Sequence, residues 1–150
     1  MTNTPIQVGN GTLTMCGLSD FMETMEYVEE MTHNPAVVTL CDRPHREYHG
    51  ETYCHYLSYK KFTPLANWTA AAQKVMKLLD EGRDVLLHCI HGRDRTGTIA
   101  YVVLRCSYPH KYTLKKMYEA RPSMKRQWSS LMKERQSFHD VLLKSLNQEI

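Results

Sequence analysis

The feature that most restricts the fold of this chain is the stretch "DVLLHCIHGRDRTGTIAYVVLRC", Asp84 to Cys106. Its first five residues, Asp84 to His88, carry the apolar run Val85–Leu87 after Gly82, the pattern of a strand buried on both faces and therefore central and parallel. From Thr96 the pattern turns helical and is apolar nearly all round, so that helix must be buried too. A strand of this kind needs parallel strands beside it and helices on both faces. The rest of the chain supplies them. "GTLTMCG", "AVVTLC" and "ETYCHYLSY" read as further strands. Phe21, Met25, Val28 and Met31 fall at helical spacing behind a D-x-x-E start at Asp20. Further helices are expected from Asn67 to Leu79, over "TLKKMYEA", and along Trp128, Leu131, Met132, Arg135, Phe138, Leu142 and Leu146. The expected fold is α/β, a central mainly parallel sheet flanked by helices. At 150 residues without repeats or linkers, residues 1–150 are expected to form one domain.

The turn between strand and helix carries the chemistry. A strand that ends in a tight turn and opens a helix aims backbone N–H groups at one point, and the helix dipole makes that point attractive to anions. Gly92 allows the close backbone approach, and Gly97 relieves crowding at the helix start. Arg95, six residues after Cys89, is spaced to curl over the cradle and grip a phosphate-like group with two parallel hydrogen bonds. The same field favours the ionised, nucleophilic form of a thiol at its centre. Thr96 is placed to donate a hydroxyl hydrogen bond to that thiolate, and His88 to brace the loop from behind.

"HCIHGRDRTG" resembles the signature loop of the cysteine-dependent phosphatases, H-C-x5-R-[ST]-G, and the chain length resembles their compact dual-specificity branch. The resemblance implies a dual-specificity-phosphatase-like fold and hydrolysis through a phosphocysteine. By position it makes Cys89 the nucleophile, Arg95 the phosphate clamp and Thr96 the hydroxyl that assists thiolate departure. The cradle would be Ile90, His91, Gly92, Arg93, Asp94 and Arg95. No cofactor and no metal are implied.

Such a mechanism needs a proton for the leaving oxygen. In the dual-specificity branch an aspartate supplies it from the loop before the helix that precedes the signature loop. Here that region, "LSYKKFTPLANW", holds no carboxylate. Asp94, inside the cradle, is either a brace paired with Arg93 or a backbone N–H, or a stand-in acid. Myotubularin- and Sac-type lipid phosphatases carry an aspartate at this point. Asp42, at the end of a strand expected to face the same crevice, is the other candidate. A third solution is a leaving group that needs no proton, such as a phosphoanhydride. RNA 5′-triphosphatases of this superfamily lack the usual aspartate, and their loop resembles this one, His91 included. A phosphoinositide reading draws on Arg93 with Lys60 and Lys61. Phosphorylated proteins are the leading substrate class, with RNA 5′ ends and then phosphoinositides as alternatives.

Other features narrow the setting. A net charge of +3 does not by itself call for nucleic acid or a membrane. Five scattered cysteines without a C-x-x-C pair point to a reducing compartment, cytoplasmic or nuclear, rather than a disulfide framework. No signal peptide and no membrane span is visible. A monomer is expected. The H-x3-H spacing of His45 and His49, with Cys54 and His55 nearby, would suit a metal on one face of a helix. The glycine and tyrosines make this stretch a turn and strand instead, so no metal site is expected. Cys41 reads as a buried apolar cysteine rather than a disulfide partner of Cys89, and Gln127 and Gln136 are candidates for orienting the hydrolytic water.

Overall fold

A computed structural model describes residues 3–32 and 34–148, with only the backbone of Gln148. Five strands form one sheet: β1 (Ile6–Val8), β2 (Gly11–Cys16), β3 (Pro35–Thr39), β4 (Thr52–Cys54) and β5 (Asp84–His88). Five α-helices flank it: α1 (Phe21–Met31), α2 (Leu65–Asp80), α3 (Asp94–Arg105), α4 (His110–Ala120) and α5 (Lys125–Gln148). A single 3-10 turn, Pro122–Met124, joins the last two helices.

The strand order is β1-β2-β5-β3-β4, which puts the apolar run Val85–Leu87 at the centre. β5 pairs in parallel with β2 on one side and β3 on the other, with His88 level with Cys16 and Thr39. Its alternation divides the interior. Val85 and Leu87 join the large core with α2, α3, α4 and α5, while Leu86 faces Phe21, Met25 and Val28 of α1. Burying each such side chain completely contributes roughly 1.5–3 kcal/mol, which is why the strand is apolar from Val85 to Leu87, between a half-buried Asp84 and His88.

Three parallel strands ending on one edge bring the loops after Cys16, Thr39 and His88 together, the crevice where open α/β sheets bind ligands. The helix after β5 packs closely on α5. A Cβ on Gly97 would lie 2.4 Å from the Trp128 ring, so the glycine is required by this contact.

Four expectations need correction. β1 was not anticipated; it forms an antiparallel hairpin with β2 through Gly9, whose φ of 59° suits glycine. The strand expected over "ETYCHYLSY" ends at Cys54, because Tyr59 turns inward to pack on Trp68 and Phe138 instead of continuing the ladder. α2 begins at Leu65, directly after Pro64, rather than at Asn67. Asp20 precedes α1 but its carboxylate does not cap it; that side chain is used elsewhere.

Candidate active site

Cys89 follows the last residue of β5 and is 3 % exposed, at the floor of a loop that runs to the start of α3 at Asp94. Gly92 adopts φ 68°, and a Cβ there would meet the Cys16 carbonyl carbon at 2.4 Å. A Cβ on Gly17 would meet the carbonyl groups of His91 and Ile90 at 2.7 Å and 2.8 Å. Two glycines therefore let the loop lie directly on the end of β2.

The loop's carbonyls are all engaged. Ile90 O accepts from Leu18 N at 2.8 Å and Arg93 O from Gly97 N at 2.8 Å. The Arg121 guanidinium donates to Gly92 O at 3.0 Å and to His91 O at 3.2 Å. The N–H groups from Ile90 to Arg95, by contrast, donate to no other backbone carbonyl among the described residues. Fixing the carbonyls outward turns these donors inward, which is what an anion cradle requires.

Arg121 is itself buried, 6 % exposed, and held by Asn3 Oδ1 at 2.8 Å and Asp20 Oδ2 at 2.7 Å. Asp20 also accepts from Gly17 N at 2.8 Å and Asn3 Nδ2 at 3.0 Å. Burial opposes ionisation of Asp20, but the hydrogen bonds from Arg121, Asn3 and Gly17 outweigh it and hold the carboxyl below its ordinary value. Sequence reasoning missed this brace. Arg121 lies 29 residues from Gly92 and 101 from Asp20, so no local pattern marks it.

Arg95 uses Nη1 to donate to Leu57 O at 2.9 Å and, more weakly, to Leu40 O at 3.4 Å. That leaves Nε and Nη2 for a ligand. His88 is fully buried and burial pushes its pKa down to about 4, so the ring is neutral. Nδ1–H donates to Cys89 O at 3.3 Å and Nε2 accepts from the Thr39 hydroxyl at 2.8 Å, which fixes the tautomer. The Thr96 hydroxyl is buried and has no hydrogen-bond partner, the thiol of Cys89 included. A buried hydroxyl left unsatisfied in the empty site is one that a bound anion or leaving sulfur can use.

Asp94 is paired, but with neither of the partners expected from sequence. Arg135 of α5 grips both its oxygens, at 2.9 Å and 3.3 Å, and stacks 3.7 Å over the Tyr59 ring. Arg93 donates instead to Gln127 Oε1. Asp42 is exposed just beyond β3, and its carboxylate makes no hydrogen bond or ion pair among the described residues. Lys60 and Lys61 are exposed on the loop before α2 and make no ion pair among the described residues. The structure thus brings together His88, Cys89 to Thr96 and Arg121, and leaves Asp42, Lys60 and Lys61 exposed outside that group.

Burial pushes the thiols of Cys16 and Cys41 up, so both stay uncharged at neutral pH. All five cysteines are free. No group of three or more His, Cys, Asp or Glu side chains among the described residues is arranged to hold a metal, and no described helix is long and apolar enough to cross a membrane.

Human DUSP28 superposes with a TM-score of 0.62 at 12% identity, covering 92% of this chain and 96% of its own. Tk-PTP in its active form gives 0.58 at 18% identity over 100% of both chains. TpbA of P. aeruginosa gives 0.57 at 17% identity, over 90% of this chain and 86% of its own. At these identities the likeness establishes the fold, the dual-specificity type of α/β sheet. Among curated proteins none matches this sequence. The model of a tyrosine phosphatase family does, over residues 18–148, a span that contains the whole cradle, Asp20 and Arg121. The chain therefore belongs to the tyrosine phosphatase family, as a cysteine-based phosphatase on a dual-specificity-like fold.

Proposed function

We propose that the protein hydrolyses phosphomonoesters of phosphotyrosine, phosphoserine and phosphothreonine in proteins through a phosphocysteine intermediate. The observation that carries this reading is the loop over Cys89, whose carbonyls are all tied outward while its N–H groups are free. A phosphoryl group seated there takes those donors and the free Nε and Nη2 of Arg95. The Cys89 sulfur attacks phosphorus, the bond from phosphorus to the ester oxygen breaks, and that oxygen leaves with a proton. Water then attacks the phosphocysteine, the sulfur–phosphorus bond breaks, and inorganic phosphate departs as the thiolate is restored. The unpartnered Thr96 hydroxyl is available to the departing sulfur. Support for a protein substrate comes from the family's description and from a TpbA structure in complex with pTyr, similar to this chain at a TM-score of 0.56 and 16% identity.

RNA 5′-triphosphate hydrolysis is the second reading. One observation favours it: the carboxylate inside the cradle, Asp94, is engaged by Arg135, and the loop from Leu57 to Trp68 has none. A phosphoanhydride leaves without protonation. The test measures phosphate release from a phosphotyrosine peptide, a triphosphate-ended RNA and a phosphoinositide in parallel, with Cys89→Ser as control. The expected result is fastest release from the peptide, abolished in Cys89→Ser. Faster release from RNA or lipid overturns the protein reading. No turnover of any substrate, with Cys89→Ser indistinguishable from the unaltered protein, overturns the enzyme.

A further inference from the structure

Charge is unevenly spread along this chain. Residues 1–42 hold six carboxylates and no lysine or arginine, whereas residues 105–135 hold nine lysines and arginines and only two carboxylates. Most of the second group falls on α4 and the first half of α5. Two cavities of about 570 Å³ and 240 Å³ lie side by side there, sharing Tyr118 and Ser129 in their walls, and together form a groove between the two helices. Leu114, Tyr118 and Met132, each half-buried, supply its apolar wall. Lys125, Arg126 and Lys133, all exposed, supply its cationic edge. None of these three cations makes an ion pair among the described residues, and neither Glu119 nor Glu134 lines the groove. Arg126 also lines the hollow that holds His91 and Arg93, so the groove opens beside the signature loop and runs away from it. Like charges gathered along one groove repel one another, and an anionic partner relieves that cost.

We propose that the α4–α5 groove docks an acidic segment of the substrate protein, set several residues away from the phosphorylated one. The proposal deepens the phosphoprotein reading above and rests on it. From Arg126 to Lys133 the helix rises about 10 Å, the length of about three residues of extended chain. A short run of Asp or Glu, interrupted by an apolar side chain, therefore spans the groove: carboxylates meet the cations on its edge while the apolar side chain buries against Leu114, Tyr118 and Met132. The same wall decides between a peptide and a nucleic acid strand. Single strands are held by a succession of aromatic faces on which bases stack. This groove has two rings, Tyr118 and His110, and the Tyr101 hydroxyl already engages His110.

The test uses phosphotyrosine peptides that carry a run of glutamates, glutamines or lysines about three residues away, on the N-terminal or the C-terminal side, and reads KM and kcat separately. The full chain is expected to cleave the glutamate form with KM about tenfold below the glutamine form on one of the two sides. Its kcat should be unchanged, because docking away from the reacting bond holds substrate and transition state alike. The advantage should shrink as salt rises, since the cations are exposed. In the double variant Lys125→Glu/Lys133→Glu the glutamate advantage should vanish and the lysine form should become the better substrate. That reversal is a result that mere damage to the fold does not produce. A KM ratio near one on both sides in the unaltered protein, or a ratio unchanged in the double variant, overturns the groove. Cleavage of the glutamine form then leaves the phosphoprotein reading intact. Oligouridylate forms a second arm: inhibition that depends on Lys125 and Lys133, with no effect of the glutamate tail, overturns the peptide assignment. Failure to cleave any of the peptides overturns the phosphoprotein reading itself, and this proposal with it.

Discussion

Arg121→Met removes the brace under the loop while keeping much of the buried volume. In the structure the guanidinium makes four hydrogen bonds, to Gly92 O, His91 O, Asn3 and Asp20. Removing one partner of a buried pair costs about 3–5 kcal/mol. The lower end applies here, about 3 kcal/mol, because the Asp20 side chain keeps 30% exposure and retains Gly17 N and Asn3. Domains have a margin of roughly 5–15 kcal/mol, so the variant should fold, with a reduced urea midpoint. The functional effect is separate. Without their donor, the carbonyls of His91 and Gly92 are free to rotate inward, and each peptide that turns replaces a donor with an acceptor facing phosphate. Losing one preorganised donor costs about a hundredfold or more in rate. We expect kcat/KM on an aryl phosphate to fall about a hundredfold, with weaker inhibition by inorganic phosphate. Asp20→Asn is the paired control. It weakens the ion pair but leaves Arg121 able to hold both carbonyls, so it should lose stability and little activity. The reasoning fails if folded Arg121→Met keeps kcat/KM within about twofold of the unaltered protein. It also fails if Asp20→Asn loses as much activity as Arg121→Met.

Three further outcomes follow from the same geometry. Burial pushes His88 and His139 down to about 4, so between pH 6.5 and 4 the unfolded chain binds more protons and stability must fall as pH falls. Each histidine contributes about 3 kcal/mol across that window; urea midpoints at pH 7 and 4.5 should differ accordingly, and His88→Asn should flatten part of the slope. Thr96→Val removes a buried hydroxyl with no protein partner; it should unfold at the same or higher urea concentration, yet accumulate phosphocysteine, seen as a burst of product approaching one equivalent. Asp94→Asn and Asp42→Asn, compared on poor and good leaving groups, identify the proton donor: its loss should slow the poor leaving group by about a hundredfold and hardly affect the good one. If neither variant discriminates, neither aspartate is the acid.

Much of the fold and half of the site were legible because their signals are local. The run Val85–Leu87, Gly92 and the apolar helix after it lie within one strand–turn–helix unit, and the loop with Cys89 and Arg95 is read within six residues. The errors fall where a distant partner outbids a local pattern. D-x-x-E at Asp20 is a sound helix-start signal, but a buried guanidinium from the far side of the chain offers the carboxylate more than a helix N-terminus does. The alternation around Tyr53 and Tyr59 is a sound strand signal. Yet Tyr59 gains an aromatic cluster with Trp68 and Phe138 and a hydrogen bond to Thr98 by leaving the ladder.

Asp94 joins these cases and links them to the chemistry. Its fate is decided by Arg135, 41 residues away, and Arg135 is in turn seated on Tyr59, the residue that left the strand. The loop that lacks an acid therefore supplies the aromatic platform for the cation that engages the nearest carboxylate. Both oxygens of this carboxylate are engaged by Arg135, which matters only for substrates whose leaving group requires a proton. Under the proposed function, the link from Tyr59 through Arg135 to Asp94 is expected to favour leaving groups that are already acidic, aryl phosphates and anhydrides before alkyl esters. Within the phosphoprotein reading, this places phosphotyrosine ahead of phosphoserine and phosphothreonine.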